Sequence, residues 1–359
     1  MATTDESASD FSTRVTQQLV GGVAGIGVAM GMETGLFEMM IAMGESRKTS
    51  QEIADLANMK ERYVREWLGC MAAANIVNFD PTEGTFWLPS HRSNIMELKA
   101  LAMTAPVLQG GFFQVADCFR KDGPRGVAYG KYPKFDELMA MTQGVFFQDH
   151  LIQEFIPSMP HLHQQLKNGI VVLDIGCCEG VSTTTMAKEF PKSHFHGLDL
   201  SQPALATARD TASVMGLSNV EFVHADISLM PPDWTDKFDY LFMNFVLHDL
   251  AYPAKALRDM HRVLKPGGTL SVVETTAHGK LQDNLAVPDR DSVVVDYMYS
   301  LMNCMPTSLY HEGGAGLGSM WGRENARAAL EEAEFQVISM TDVPSESGLH
   351  FMCQKATKA

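Results

Sequence analysis

The chain has 359 residues, 45% of them hydrophobic and 20% charged, which is length enough for two domains. Its formal charge of −15 removes the general attraction to phosphate that dominates nucleic-acid binding. Six cysteines, at 70, 118, 177, 178, 304 and 353, form no C-x-x-C and no regular framework, a pattern of reduced, intracellular thiols rather than a disulfide scaffold.

The N-terminus "MATTDESASDFST" has no basic n-region or apolar h-region, so no secretory signal is expected. The longest apolar run, Leu19 to Met32, is 14 residues, whereas a membrane span needs about 20. A cytoplasmic protein without a membrane partner is the expectation. Glycines 21/25 and 27/31 stand four apart and put small residues on one helix face. A dinucleotide loop fails there because Met30 replaces the third glycine, so the stripe is read as close packing across a homodimer.

Thr49-Ser-Gln-Glu52 is a capping box, and Tyr63, Trp67 and Met71 recur at helical spacing in the next helix. "NIVNFD", the turn "PTEG" and "TFWLP" then form a hairpin. Two helices and a hairpin read as a winged helix. Thr49 to His91 holds three Lys/Arg against six Asp/Glu, so it reads as a dimerisation or pocket-building module and no nucleic-acid partner is expected. Residues 101–168 form a helical connector, where "QGVFFQDHLIQEF" offers Phe146, Phe147 and His150 to a substrate pocket.

From Ile170 strands and helices alternate: "IVVLDIG", "HFHGLDL", "VEFVHAD", "FDYLFMNF" and "GTLSVVET" are strands with helices between them. Such βαβ units predict an α/β fold with a parallel, Rossmann-like sheet. The closing pieces "QVISMTDV" and "GLHFMCQK" are too close in sequence to pair except antiparallel. The first strand runs into a turn with Gly176, Cys178 and Gly180 at alternate positions. Asp199 ends the second strand, at the spacing of a carboxylate that accepts from ribose hydroxyls. Asp226 ends the third, placed to accept from an adenine amino group. His194 and His196 share a strand face, but no Cys/His set completes a metal site, so no metal is expected.

"VLDIGCCEG", "GLDLS", "HADI", "NFVLHD" and "RVLKPGG", in this order from Gly169 to the C-terminus, resemble class I S-adenosylmethionine-dependent methyltransferases. The N-terminal half resembles, in architecture, the winged-helix/dimerisation domain of small-molecule O-methyltransferases. The family turn usually reads G-C-G-x-G, so Cys178 departs from it. The resemblance implies S-adenosyl-L-methionine as cofactor and S-adenosyl-L-homocysteine as product. It assigns Asp174, Gly176, Cys178, Gly180, Asp199, Leu200, Asp226, Ile227 and Asn244 to the cofactor. It makes His248 a general base for a small-molecule acceptor and Glu274 the group that orients it. The expected domains are 1–100, 101–168 and 169–359. The insertion 276–321 is expected to be a substrate lid that brings Met302 and Trp321 to the acceptor. The alternatives are N- or S-methylation without a base, or a non-catalytic regulator that binds the cofactor.

Overall fold

The computed structural model describes residues 6–344 and 348–357. The chain divides into two compact units between Val107 and Leu108, within the helix Lys99–Gln109.

In the first unit Ser7 caps the helix Ala8–Glu33 by accepting the Asp10 amide. By length and composition alone this helix could cross a membrane, which revises the inference from the 14-residue run. Its last turns are packed: Ala29, Gly31 and Met32 are buried, and Trp67 Nε1 donates to the Gly27 carbonyl at 2.8 Å. Thr49 and Glu52 make the expected capping box of Ser50–Leu56. The helix Glu61–Ala73 turns Val64, Trp67, Leu68 and Met71 inward. Tyr63 is instead 75% exposed, since it lies beside that face rather than on it. Antiparallel strands β1 (Asn78–Asp80) and β2 (Thr85–Trp87) complete the winged helix.

The glycine stripe divides. A Cβ on Gly21 or Gly25 would meet nothing within 4 Å. On Gly27 it would lie 2.5 Å from Met71, and on Gly31 2.4 Å from Trp67. Gly27 and Gly31 therefore serve the chain's own core, and the expectation that they face a partner is corrected. Gly31→Leu is expected to destabilise this unit by roughly 1–3 kcal/mol through overpacking, and Gly25→Leu to leave the melting temperature unchanged. Equal melting of the two variants would contradict this packing.

In the second unit β3 (Val171–Ile175), β4 (His194–Asp199), β5 (Val220–His224), β6 (Phe238–Asn244) and β7 (Leu264–Thr275) run parallel. β8 (Phe335–Asp342) and β9 (Gly348–Lys355) pair antiparallel, and β9 is also antiparallel to β7. The order is β5-β4-β3-β6-β7-β9-β8, the expected mixed sheet. β3 and β6 are almost wholly buried, as parallel strands covered on both faces must be. Leu173, Ile175, Leu241 and Met243 enter one core cluster, while Val172, Tyr240 and Phe242 enter the other with Phe155 and Phe190. Because β3 pairs with both β4 and β6, the winding reverses there. The crevice at the carboxyl ends of β3 and β6 is where ligands of doubly wound sheets bind.

Candidate active site

Beyond Ile175 the chain turns through Gly176 (φ +73°), Cys178 (φ +50°) and Gly180 (φ +72°) into the helix Val181–Glu189. All three occupy the left-handed region. Cys178, where glycine would sit freely, therefore carries about 1–2 kcal/mol of strain. Asp199 Oδ2 accepts its amide at 2.9 Å, and Asp199 Oδ1 accepts that of Ser201 at 2.7 Å. A Cβ on Gly176 would lie 2.5 Å from Val246, so this glycine lets the loops after β3 and β6 approach each other. Burial pushes the Asp199 carboxyl up, against the pull of the two amides.

A cavity at the ends of β3 and β6 is lined by Asp174, Gly176, Cys178, Asn244 and Phe147, among others. Asp174 Oδ2 accepts from the Ser182 and Thr183 hydroxyls at 2.5 and 2.6 Å. Burial outweighs those bonds and lifts the Asp174 pKa to about 6. Asn244 is 6% exposed, and neither of its amide atoms has a hydrogen-bond partner among the described residues. Leaving such a group unpaired costs ~1–3 kcal/mol, so a polar molecule in the cavity would relieve Asn244. A carboxylate for a cation, a free amide and a second carboxylate for hydroxyls fit an aminoacyl nucleoside such as S-adenosylmethionine.

Other expected residues lie elsewhere. Leu200 is 59% exposed. Asp226 caps the turn Ile227–Leu229 by accepting the Ser228 amide at 2.7 Å, and the Ile227 side chain is buried in the sheet's core. Phe146 packs edge-on against Phe155 in the core, while Phe147 reaches the cavity. His150 bonds Glu154 one turn along its own helix. Trp321 packs against the core cluster rather than the cavity. Met302 is buried, and its carbonyl accepts the Tyr132 hydroxyl.

His248 follows β6 on the short turn Leu247–Asp249. Its Nδ1 lies 2.6 Å from Glu274 Oε2, and its backbone amide donates to Glu274 Oε1 at 3.2 Å. The two side chains are 5% and 1% exposed, so the pair is orientationally fixed. Nε2 lies 3.3 Å from Asp249 Oδ1, a buried oxygen that makes no hydrogen bond among the described residues. Burial acts to lower the ring's pKa, but the Glu274 and Asp249 carboxylates and the Cys304 thiol outweigh it and hold His248 well above the usual histidine value.

Cys304, which the sequence reading left aside, completes this corner. Polar atoms of His248, Asp249 and Cys304 all lie within 4.8 Å of one another. Burial and the Asp249 charge push the Cys304 thiol up to about 11, so it sits there as a neutral thiol and not as a nucleophile. Cys304 ends a π-helical turn, Ser300–Cys304, inside the insertion, and nothing in its local sequence marks it. Asp136 was also missed; it lies beside Cys178 and Ser201.

Comparison with known proteins bears on the domains and the fold. Residues 166–305 match the model of a methyltransferase domain, and residues 22–97 that of an Rv2258c-like winged HTH domain. A demethylmenaquinone methyltransferase of Listeria monocytogenes is 36% identical over 114 residues, which is 31% of this chain and 47% of the relative. The chain thus spans about half the length of the curated relatives it matches. An O-methyltransferase family protein from Burkholderia thailandensis superposes with a TM-score of 0.65 at 13% identity, over 99% of this chain and 100% of that one. Human N-acetylserotonin methyltransferase, in complex with S-adenosylmethionine, superposes at 0.62 and 15% identity, over 99% and 100%. At such identities the likeness is one of fold.

Proposed function

We propose that this chain, a class I methyltransferase in fold that joins a methyltransferase domain to an Rv2258c-like winged HTH domain, O-methylates a small organic molecule with His248 as general base. The observation that carries this reading is the buried pair of His248, on the loop after β6, and Glu274, near the end of β7, beside the strand end where Asn244 stands unpaired. S-adenosylmethionine, when bound, supplies a methyl group on a sulfonium centre. Asp174 and Asn244 would hold its polar amino-acid end and Asp199 its ribose, with Gly176 and Gly180 allowing the left-handed, closely packed turn beneath it.

In that arrangement His248 Nε2 would take the proton of an acceptor hydroxyl, whose oxygen would gain the methyl group while the carbon–sulfur bond pair returns to sulfur and leaves S-adenosylhomocysteine as a neutral thioether. Glu274 fixes the tautomer through Nδ1 and stabilises the imidazolium that forms. The raised pKa makes the neutral ring a stronger base than a free imidazole. Positioning supplies the remainder of the rate. The exposed apolar residues Leu19, Val20 and Val23 on the first helix, together with the open Gly21 and Gly25, favour a homodimer through that helix.

Incubation with isotope-labelled S-adenosylmethionine and a panel of phenols, alcohols, amines and thiols tests the assignment. Label appearing on a hydroxyl supports it, and label appearing only on nitrogen or sulfur overturns the role of His248. Asp199→Ala is expected to weaken S-adenosylhomocysteine binding about 10- to 100-fold, through loss of a charged acceptor, with the fold retained. An unchanged dissociation constant by calorimetry would remove Asp199 from the site.

A further inference from the structure

The helix Phe135–Val145 turns one face toward the cofactor turn. Asp136, Met139, Ala140 and Gln143 recur at helical spacing along it. Met139, Ala140 and Gln143 line the cavity that also holds the unpaired, buried Asn244. Asp136 begins the same face at the helix N-terminus, where the helix dipole favours a negative charge. Tyr129 donates its hydroxyl to Asp136 Oδ1 at 2.7 Å, and Ser201 donates to Oδ2 at 3.1 Å. Cys178 Sγ lies 4.0 Å from the Asp136 carbonyl. Ser201 also donates its amide to Asp199, so one serine joins two half-buried carboxylates on either side of the glycine turn.

Lys134, the nearest cation in sequence, lies 3.8 Å from Glu137, and among the described residues no Lys or Arg is seen paired with Asp136 or Asp199. Burial first, and the Asp136 charge after it, push the Asp199 carboxyl up. Among the described residues neither of these half-buried carboxylates has a cation partner, and both have accepting capacity to spare, since each offers about four lone-pair sites. Hydroxyl groups donating to both would relieve their repulsion. A phosphate brought between them would add to it, so the pair would also discriminate against phosphorylated nucleotides.

We propose that Asp136 is a second ribose-recognising residue of the cofactor groove, acting beside Asp199 and positioned by Tyr129. This rests on the cofactor reading given above. Asp136 reaches the groove from a helix that also walls the cavity, so one helix face would follow the bound molecule from its sugar to its amino-acid end.

The test is calorimetric titration of the full chain with S-adenosylhomocysteine and with its 2′-deoxy and 3′-deoxy analogues. The wild-type protein should bind the parent compound and lose affinity for the analogues. Asp136→Asn should bind the parent about 10- to 100-fold more weakly and should discriminate less against at least one deoxy analogue. Tyr129→Phe should show a smaller loss of the same kind. Unaltered affinity and unaltered discrimination in Asp136→Asn would overturn the proposal while leaving the cofactor reading intact. A folded wild-type protein that binds none of the three compounds would overturn both. A weaker Asp136→Asn that still discriminates like wild type would show a merely structural role and would also overturn it.

Discussion

His248→Ala is expected to lower kcat by about 10²–10⁴-fold while S-adenosylhomocysteine affinity stays near that of the wild type. The imidazole is hydrogen-bonded to Glu274 and does not line the cavity at the glycine turn, so on the proposed reading its loss should spare the cofactor. Glu274→Gln should give a smaller loss, because an amide still orients the ring but no longer stabilises its charged form. The pH dependence has a definite sign. The base works only as neutral imidazole, and its pKa lies well above the usual value. The rate should therefore climb with pH through a pKa above about 6.5, a limb that His248→Ala loses. The linked stability has the opposite trend: the charged pair contributes fully below about pH 6.5 and its contribution is lost as pH rises through the raised pKa. Near-normal turnover by His248→Ala would leave the histidine a packing group at the strand end.

Gly176→Val should abolish cofactor binding. The position has φ +73°, where a β-branched residue is strongly disfavoured, and its Cβ would meet Val246 at 2.5 Å. The loop after β3, which carries most of the turn's cavity residues, would be pushed away from the loop after β6. Cys178→Gly is the matched control: it relieves a left-handed non-glycine residue and should bind the cofactor at least as well. Retained binding by a folded Gly176→Val protein would contradict the role given to this turn.

The sheet was legible because its strands announce themselves. "VVLDI" and "FDYLFMN" are unbroken apolar runs bounded by turn residues, and the short link between the last two pieces left only an antiparallel pairing. The winged helix was legible from its capping box and hairpin. The glycine turn was found by spacing, but spacing does not report φ, so the strain at Cys178 became visible only in the fold. Gly27 and Gly31 were assigned to a partner because a small-residue stripe looks the same whichever helix covers it. Ile227 and Leu200 sit next to acidic strand ends in sequence, yet the chain turns one inward and the other to solvent. Cys304 reaches His248 only through a tertiary approach. Asp136 had a signal that could have been used, the 136/139/140/143 helical face, but no motif drew attention to it.

The most direct measurement is calorimetric titration of the wild-type chain with S-adenosylhomocysteine at pH 5 and pH 7. Asp174, with a pKa of about 6, is largely protonated at the first pH and ionised at the second, so a carboxylate that takes the ligand's ammonium should bind it more tightly at pH 7. The account predicts a saturable one-to-one isotherm that strengthens from pH 5 to pH 7 and disappears in Gly176→Val. A folded wild-type chain that shows no saturable binding at either pH would contradict it.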